Sequence, residues 1–80
     1  MRSGPEPQMT HEQCRAARAW LGWTQADLAQ RAHVGLSTIK DFEAGTRRTT
    51  LAAIRWQIQR IFEDAGVEFS PDSIRVIRNK

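Results

Sequence analysis

The sequence predicts a mainly α domain of four to five helices followed by a short β-hairpin. Four segments carry apolar residues at spacings of three and four, and each is bounded by threonine or glycine. The last segment changes to alternating β-branched and aromatic residues around a Ser-Pro-Asp-Ser turn. Eighty residues allow one domain with a small core. We therefore expect a flexible N-terminal arm at 1–9, a helical domain at 10–66 and a β-hairpin at 67–80.

The first helix is predicted to begin after Thr10, which can cap its N-terminus, and to end at Gly22. The arm before it holds two of the chain's three prolines and few apolar residues, which favours flexibility. Cys14 is the only cysteine, so no internal disulfide can form, and we interpret it as a small buried hydrophobe rather than a reactive thiol. The apolar residues at helical spacing in this segment are Cys14, Ala17, Trp20 and Leu21.

Two short helices follow. Thr24 is a second N-cap, and Asp27 three residues later completes a variant of the capping box. The third helix ends at Gly45, a C-terminal stop. The apolar residues on the inner faces of these helices are Leu28, Ala29 and Ala32, then Ile39 and Phe42.

The fourth helix is predicted from Thr50, as its cap, to Gly66, and the hairpin from Val67 to Ile77. Trp56 lies off the apolar stripe of this helix, so it is the leading candidate for an interface contact. Core or interface packing is favoured for all three tryptophans over stacking on single-stranded bases. The stripe itself consists of Leu51, Ile54, Ile58, Ile61, Phe62 and Ala65.

The stretch from Gln25 to Gly45 fits the spacing of a helix-turn-helix, whose alternative is an ordinary helical hairpin. Counting from Gln25, the fifth residue is the small Ala29, where the helices touch, and the ninth is His33 at the bend. Histidine tolerates positive φ at a cost of about 1 kcal/mol, and Gly35 can then cap the third helix. The core-facing positions carry Leu28, Ala32, Val34, Ile39 and Phe42.

The stretches "LGWTQADLAQRA" and "STIKDFEAG", with the arginines after them, resemble the lambda-repressor-like (Xre/Cro) helix-turn-helix family of bacterial and phage regulators. The resemblance covers roughly Cys14 to Ile61. The ending "AAIRWQIQRIFEDAGVEF" is similar to a small stand-alone subgroup with a terminal strand pair. Two positions depart from the family pattern: His33 replaces the bend glycine, and Thr49 replaces a common proline.

The resemblance implies that the third helix enters the major groove of double-stranded DNA while the second spans its edge. The base-reading positions then fall on Leu36, Ser37, Lys40 and Asp41. Lys40 can reach guanine O6 and N7, Ser37 several base edges, and Leu36 a thymine methyl. Asp41 either accepts from cytosine N4 or lies on the helix surface. The implied phosphate contacts are Gln25, Thr38, Arg47 and Arg48, although two arginines in a loop are by default a solvated turn.

The resemblance also implies a structural ion pair between Arg18 of the first helix and Glu43 near the end of the third. Removing one partner of such a buried pair costs about 3 to 5 kcal/mol. We therefore expect these two residues to hold the motif together rather than to contact DNA.

These features predict a sequence-specific regulator of transcription, with repression as its expected action, that binds an inverted-repeat operator as a homodimer. The charge agrees: 12 Lys and Arg exceed 9 Asp and Glu, and because Lys40 and Lys80 are the only lysines, ten of the basic residues are arginine. Two alternatives remain. One is the antitoxin of a toxin-antitoxin pair, with a toxin as protein partner, and the other is an interaction module without DNA binding.

Other classes are disfavoured. No nucleophile-base pair, carboxylate pair or phosphate-binding loop indicates an enzyme, and we expect no cofactor. His11, His33 and Cys14 are too scattered to suggest a metal site. No apolar run reaches the roughly 20 residues that cross a bilayer, and no signal peptide is apparent, so we expect a cytoplasmic, nucleoid-associated protein without membrane partners.

Overall fold

The computed structural model of this chain describes residues 9–45, 52–70 and 73–76. These ranges contain four helices and one pair of strands, which confirms the predicted fold class. The elements are α1 (His11–Leu21), α2 (Gln25–Ala32), α3 (Leu36–Ala44), α4 (Ala52–Asp64), β1 (Val67–Ser70) and β2 (Ser73–Val76). The predicted features that lie outside the described residues are the arm at 1–8, Arg47, Arg48, Thr49, the cap at Thr50, Leu51 and Ile77.

Local hydrogen bonds begin the first two helices where the sequence predicts. The Gln13 N–H donates to the Thr10 hydroxyl over 3.1 Å, and the Thr10 N–H donates to the Gln13 side chain over 3.0 Å. Thr24 and Asp27 form the same reciprocal box at the start of α2, with both distances 2.9 Å. Each box gives hydrogen-bond acceptors to two backbone N–H groups that would otherwise have none within the helix, so these boundaries need no tertiary contact.

The turn between α2 and α3 is built around His33. Its backbone is left-handed, with φ 58° and ψ 42°, and it is the only non-glycine residue with positive φ in the described part of the chain. Gly35, at φ −71°, precedes α3 as its N-cap and offers no side-chain hydrogen bond. The predicted helix-turn-helix geometry is therefore present, with histidine at the position where the left-handed backbone favours glycine.

The core lies where the four helices meet the strand pair. Phe62 of α4 is fully buried at its centre, where Trp23 stacks on it with ring centroids 5.5 Å apart and Phe69 of β1 meets it edge-on at 6.0 Å. Burying a side chain of this size stabilises the fold by about 1.5 to 3 kcal/mol. The other buried apolar residues are Met9, Cys14, Ala17, Leu28, Ala29, Ala32, Ile39, Phe42, Ile58 and Val67.

The two strands form an antiparallel pair that packs on the helices. Val67 pairs with Val76 and Ser70 with Ser73, as expected for a hairpin. Val67 is buried, and the Gln13 side chain of α1 donates to the Ser70 carbonyl over 2.7 Å. Because an isolated pair of short strands is marginal in water, this contact with α1 and the packing on Phe62 are what stabilise it.

Three expectations from the sequence are wrong. Met9 does not belong to a flexible arm, because its side chain is buried and its N–H donates to Gln59 over 3.1 Å. Trp20 is 63% exposed, since Ala17 and Cys14 occupy the inner face of α1 and the helix turns Trp20 away from it. Ala65 is exposed because α4 ends one residue earlier, at Asp64.

Candidate nucleic-acid interface

Helix α3 has one buried side and one exposed side. Ile39 and Phe42 are buried, while Leu36, Ser37 and Lys40 are exposed. Leu36 is 39% exposed, so its apolar side chain is accessible to a ligand. These three residues are the base-reading candidates from the sequence, and the structure brings them together on one accessible surface.

The remaining candidate residues are less exposed to solvent. Asp41 and Thr38 on α3 are half-buried, and Gln25 is half-buried at the first position of α2. The Gln25 side chain also donates a hydrogen bond to Glu43 over 3.1 Å. Only its second amide N–H and the backbone N–H groups of Gln25 and Ala26 are then left for an anion, because the Asp27 N–H donates to the Thr24 hydroxyl. Arg47 and Arg48 lie outside the described residues.

Arg18 and Glu43 form an ion pair at the centre of the motif. The Arg18 Nη2 donates to Glu43 Oε1 over 2.8 Å and its Nε to Oε2 over 2.9 Å. Only 2% of the Glu43 side chain is exposed, against 20% for Arg18. The third Arg18 donor, Nη1, bonds the Trp23 carbonyl over 3.0 Å. This two-point geometry joins α3 to α1 and to the start of α2.

The carboxylate of Glu43 accepts from two more side chains that sequence reasoning did not connect with it. Gln25 is one, and the other is the thiol of Cys14, whose Sγ lies 3.2 Å from Oε2. Their signal in the sequence was weak, because a cysteine and a glutamine at these spacings have no shared pattern. We name this set of Cys14, Arg18, Gln25 and Glu43 the Glu43 cluster. It ties together α1, α2 and α3 at a single buried point.

Electrostatics in the Glu43 cluster favour a charged glutamate and a neutral cysteine. Burial raises the pKa of Glu43, but the hydrogen bonds from the Arg18, Cys14 and Gln25 side chains outweigh it, and its pKa falls below the usual range. Burial and the adjacent carboxylate raise the pKa of Cys14. The Cys14 thiol therefore acts as a neutral hydrogen-bond donor inside the fold, in agreement with its interpretation as an unreactive cysteine.

The C-terminal end of α3 is also fixed to α1. The Arg15 side chain donates to the backbone carbonyl of Glu43. Gly45 follows in the left-handed region at φ 71°, and a Cβ there would lie 3.0 Å from the His11 ring. No other residue type fits this close approach without moving His11. The helix that carries the exposed surface is thus fixed to α1 at its C-terminal end through both the side chain and the backbone carbonyl of Glu43.

No group of three or more metal-ligating side chains occurs within 9–45, 52–70 and 73–76. In the same ranges, no helix is long and apolar enough to span a membrane. The exposed surface of α3 consists of the polar and apolar side chains of Leu36, Ser37 and Lys40.

This geometry is that of a helix-turn-helix DNA-binding protein. Helix α3 is short and has an accessible surface, α2 crosses it before a left-handed turn, and a buried ion pair fixes α3 to α1. The family model described as "Helix-turn-helix" matches residues 15–55, just over half of the chain. The chain belongs to the lambda-repressor-like (Xre/Cro) helix-turn-helix family and is a DNA-binding regulator of that kind.

Solved structures agree with this assignment. A chain of the HipB-O1-O2 complex superposes on this protein with a TM-score of 0.57 and is 27% identical in sequence. The alignment covers 79% of this chain and 90% of that one. No curated protein matches the sequence significantly. The structural likeness therefore extends beyond the helix-turn-helix to most of the domain.

Proposed function

We propose that this protein is a sequence-specific transcription regulator that reads double-stranded DNA with the exposed side of α3. The observation that carries the proposal is the exposure of Leu36, Ser37 and Lys40 on one accessible surface of α3, while the Glu43 cluster fixes the C-terminal end of the same helix. A rigidly held reading surface reduces the ordering that binding requires. Such preorganisation suits discrimination between base sequences.

Each exposed side chain is suited to a different base feature. Lys40 carries the donors that match the O6 and N7 acceptors of guanine in the major groove. The Ser37 hydroxyl donates or accepts at several base edges, and Leu36 supplies apolar contact for a thymine methyl. Asp41, which is half-buried on the same helix, is proposed as an acceptor for cytosine N4. Contacts of this kind select a sequence of a few base pairs.

Phosphate contacts are proposed for both ends of the motif. At the start of α2 they come from Gln25 and the free N–H groups of the first turn, where the helix dipole favours an anion. On α3 we assign Thr38 to the same task. Arg47 and Arg48 directly follow the motif in the sequence and would extend the contact along the backbone. These groups set the position of the protein on DNA and contribute affinity that does not depend on sequence.

The regulator is proposed to act as a homodimer on an inverted repeat and to repress. One recognition helix reads too few base pairs for useful affinity, so two half-sites are needed. The segment 67–80 is the proposed dimerisation element, because both strands of the described two-stranded sheet are edge strands and an edge strand can pair with a second copy. Occupying a promoter is sufficient for repression and requires no further contact with the transcription machinery.

A salt titration of binding to genomic duplex fragments, including the DNA upstream of the coding region, tests the proposal. We expect tight binding to a few fragments with a steep salt dependence. This binding should be lost in Lys40→Ala and retained in Arg60→Ala, which removes an exposed arginine from α4. Equal, weak binding to every fragment would reject sequence reading and favour an interaction module.

A further inference from the structure

A groove runs along α4 and shares no residue with the proposed DNA interface. Its wider part, about 450 Å³, lies between α4 and the end of α2. A second part of about 390 Å³ extends it towards Asp64 and Ala65. Arg31 and Ile61 line both parts, so the two are adjacent. We call this feature the α4 groove.

The lining of the α4 groove combines apolar and basic side chains. Ala53, Trp56 and Ile61 contribute apolar surface, and Trp56 is 38% exposed. Arg31 and Arg60 contribute exposed cations. A large exposed aromatic ring in one groove with two cations is the composition of a recognition surface rather than of an ordinary solvated helix.

Two contacts hold the α4 groove in its open shape. The Gln57 side chain donates to the Ala32 carbonyl over 2.7 Å, which fixes α4 to the end of α2. The Arg31 guanidinium stacks on the Trp23 ring, 4.2 Å from its centroid. Because these groups are already ordered, an occupant would not have to organise the groove on binding.

The length of the groove indicates a polypeptide occupant. It follows α4 from Ala53 to Ala65, about 18 Å at the rise of an α-helix, or roughly three turns. A small molecule would fill only one part of it. An amphipathic helix lies in such grooves with its apolar positions three and four residues apart facing the floor.

The charges indicate an acidic partner that is not a second copy of the chain. Neither Arg31 nor Arg60 has a carboxylate within salt-bridge distance in the described part of the structure. A second copy using the same surface would bring the same two arginines against them. Asp64 lines only the second part of the groove, so the acidic residues of the occupant are expected over the wider part, which Arg31 and Arg60 line.

We propose that the α4 groove docks an acidic amphipathic helix of a different protein, with apolar side chains on Trp56 and Ile61 and carboxylates on Arg31 and Arg60. This inference goes beyond the proposed function, since the groove and the reading surface of α3 use separate residues. The protein can therefore hold DNA and this partner at the same time.

The test uses the full chain labelled with ¹⁵N, in which Trp20, Trp23 and Trp56 give three indole N–H signals. The probe is a synthetic helix of about 14 residues with leucine at i, i+3, i+4 and i+7 and glutamate at the exposed positions. The matched probe has lysine in place of every glutamate. We expect the acidic peptide to shift the Trp56 signal and to bind at least about tenfold more tightly than the lysine peptide.

Two variants and one control locate the binding. Trp56→Ala should weaken the acidic peptide at least about tenfold and Arg60→Gln about threefold or more. Trp20→Ala, which removes the other exposed tryptophan, should leave the affinity within about twofold. All three variants should bind DNA like the unmodified chain, which shows that they are folded.

Three results would overturn the proposal. In the first, the acidic and lysine peptides bind equally, or the acidic peptide binds without shifting the Trp56 signal. In the second, the acidic peptide shifts the backbone signal of Lys40 instead, as a mimic of DNA would. In the third, the Trp56 signal shifts with protein concentration alone, which would identify a second copy as the occupant. None of these results alters the DNA-binding test, so the two proposals fail separately.

Discussion

Glu43 and Lys40 are three residues apart on α3, yet their charges serve opposite purposes. The Glu43 carboxylate is 2% exposed and accepts hydrogen bonds from three other side chains. Lys40 is exposed, and no hydrogen bond or ion pair to it occurs among the described residues. Under the proposed function, one short helix separates stability from recognition, because a charge satisfied inside the protein is not available to a ligand.

Arg18→Ala is expected to have the largest effect on this comparison. It leaves the buried Glu43 carboxylate without its cation, so the free energy of unfolding should fall by about 3 to 5 kcal/mol. Denaturant unfolding of the purified variant measures this loss. The double variant Arg18→Met with Glu43→Leu removes both charges and should recover a large part of it. A single variant as stable as the unmodified chain would show that the ion pair contributes little.

Lowering the pH should reduce the free energy of unfolding by less than Arg18→Ala does. Protonation leaves Glu43 neutral, whereas the substitution leaves it charged and unpaired. Its pKa is lowered in the folded state, so its contribution is complete above the unfolded value of about 4.3 and is lost as the pH falls through the lower folded value. Unfolding free energies measured from pH 6 down to about pH 3 report the loss.

Asp27 is the control for this pH dependence of stability, because its pKa is also lowered, by hydrogen bonds from the backbone and hydroxyl of Thr24. Asp27→Asn should keep the steep part of the pH dependence. The double variant Arg18→Met with Glu43→Leu should flatten it. If Asp27→Asn flattened the curve and the double variant did not, the acid sensitivity would belong to the helix cap and not to the Glu43 cluster.

Lys40→Ala should change the exposed side of α3 without affecting the buried side. We expect a loss of about 1 to 3 kcal/mol in discrimination between a cognate and a mutated operator, since the bonds to one base pair disappear. Stability should stay within about 0.5 kcal/mol, because Lys40 is exposed. Binding to both duplexes together with thermal unfolding measures the two quantities. An unfolding midpoint that fell with the affinity would contradict the separation of roles.

His33→Gly should have the smallest effect and concerns the turn that sets α2 against α3. Glycine adopts φ 58° without the steric cost that histidine meets, but it also gains freedom in the unfolded chain. The net result should be a stabilisation of no more than about 1 kcal/mol with unchanged DNA binding. Gly22→Ala is the matched control at φ 74°, where an added Cβ would have no atom within 4 Å. It should destabilise the fold by about 1 kcal/mol through the left-handed backbone alone. A marked loss of stability in His33→Gly would mean that the imidazole makes a contact of its own.

Much of the fold could be predicted because its signals are local. The capping boxes at Thr10 and Thr24 and the left-handed His33 depend on neighbours within three or four residues, so the sequence contains all their partners. The base-reading candidates on α3 came from the resemblance to a known family, and of these Leu36, Ser37 and Lys40 are exposed in the structure. Trp20 shows the limit of that argument, because Trp20 and Ala17 share an apolar pattern and only packing against α3 decides which of them is buried.

By itself, the sequence determined the order of the helices and the position of the turn, since caps and spacing act along the chain. Only the tertiary structure decided which distant groups meet. It placed Cys14 and Gln25 on the Glu43 carboxylate, buried Met9 beside Gln59 and opened the α4 groove between Arg31 and Arg60. The physical reason is that buried polar groups need partners and core residues need neighbours, and both are supplied by whichever helices pack together rather than by sequence proximity.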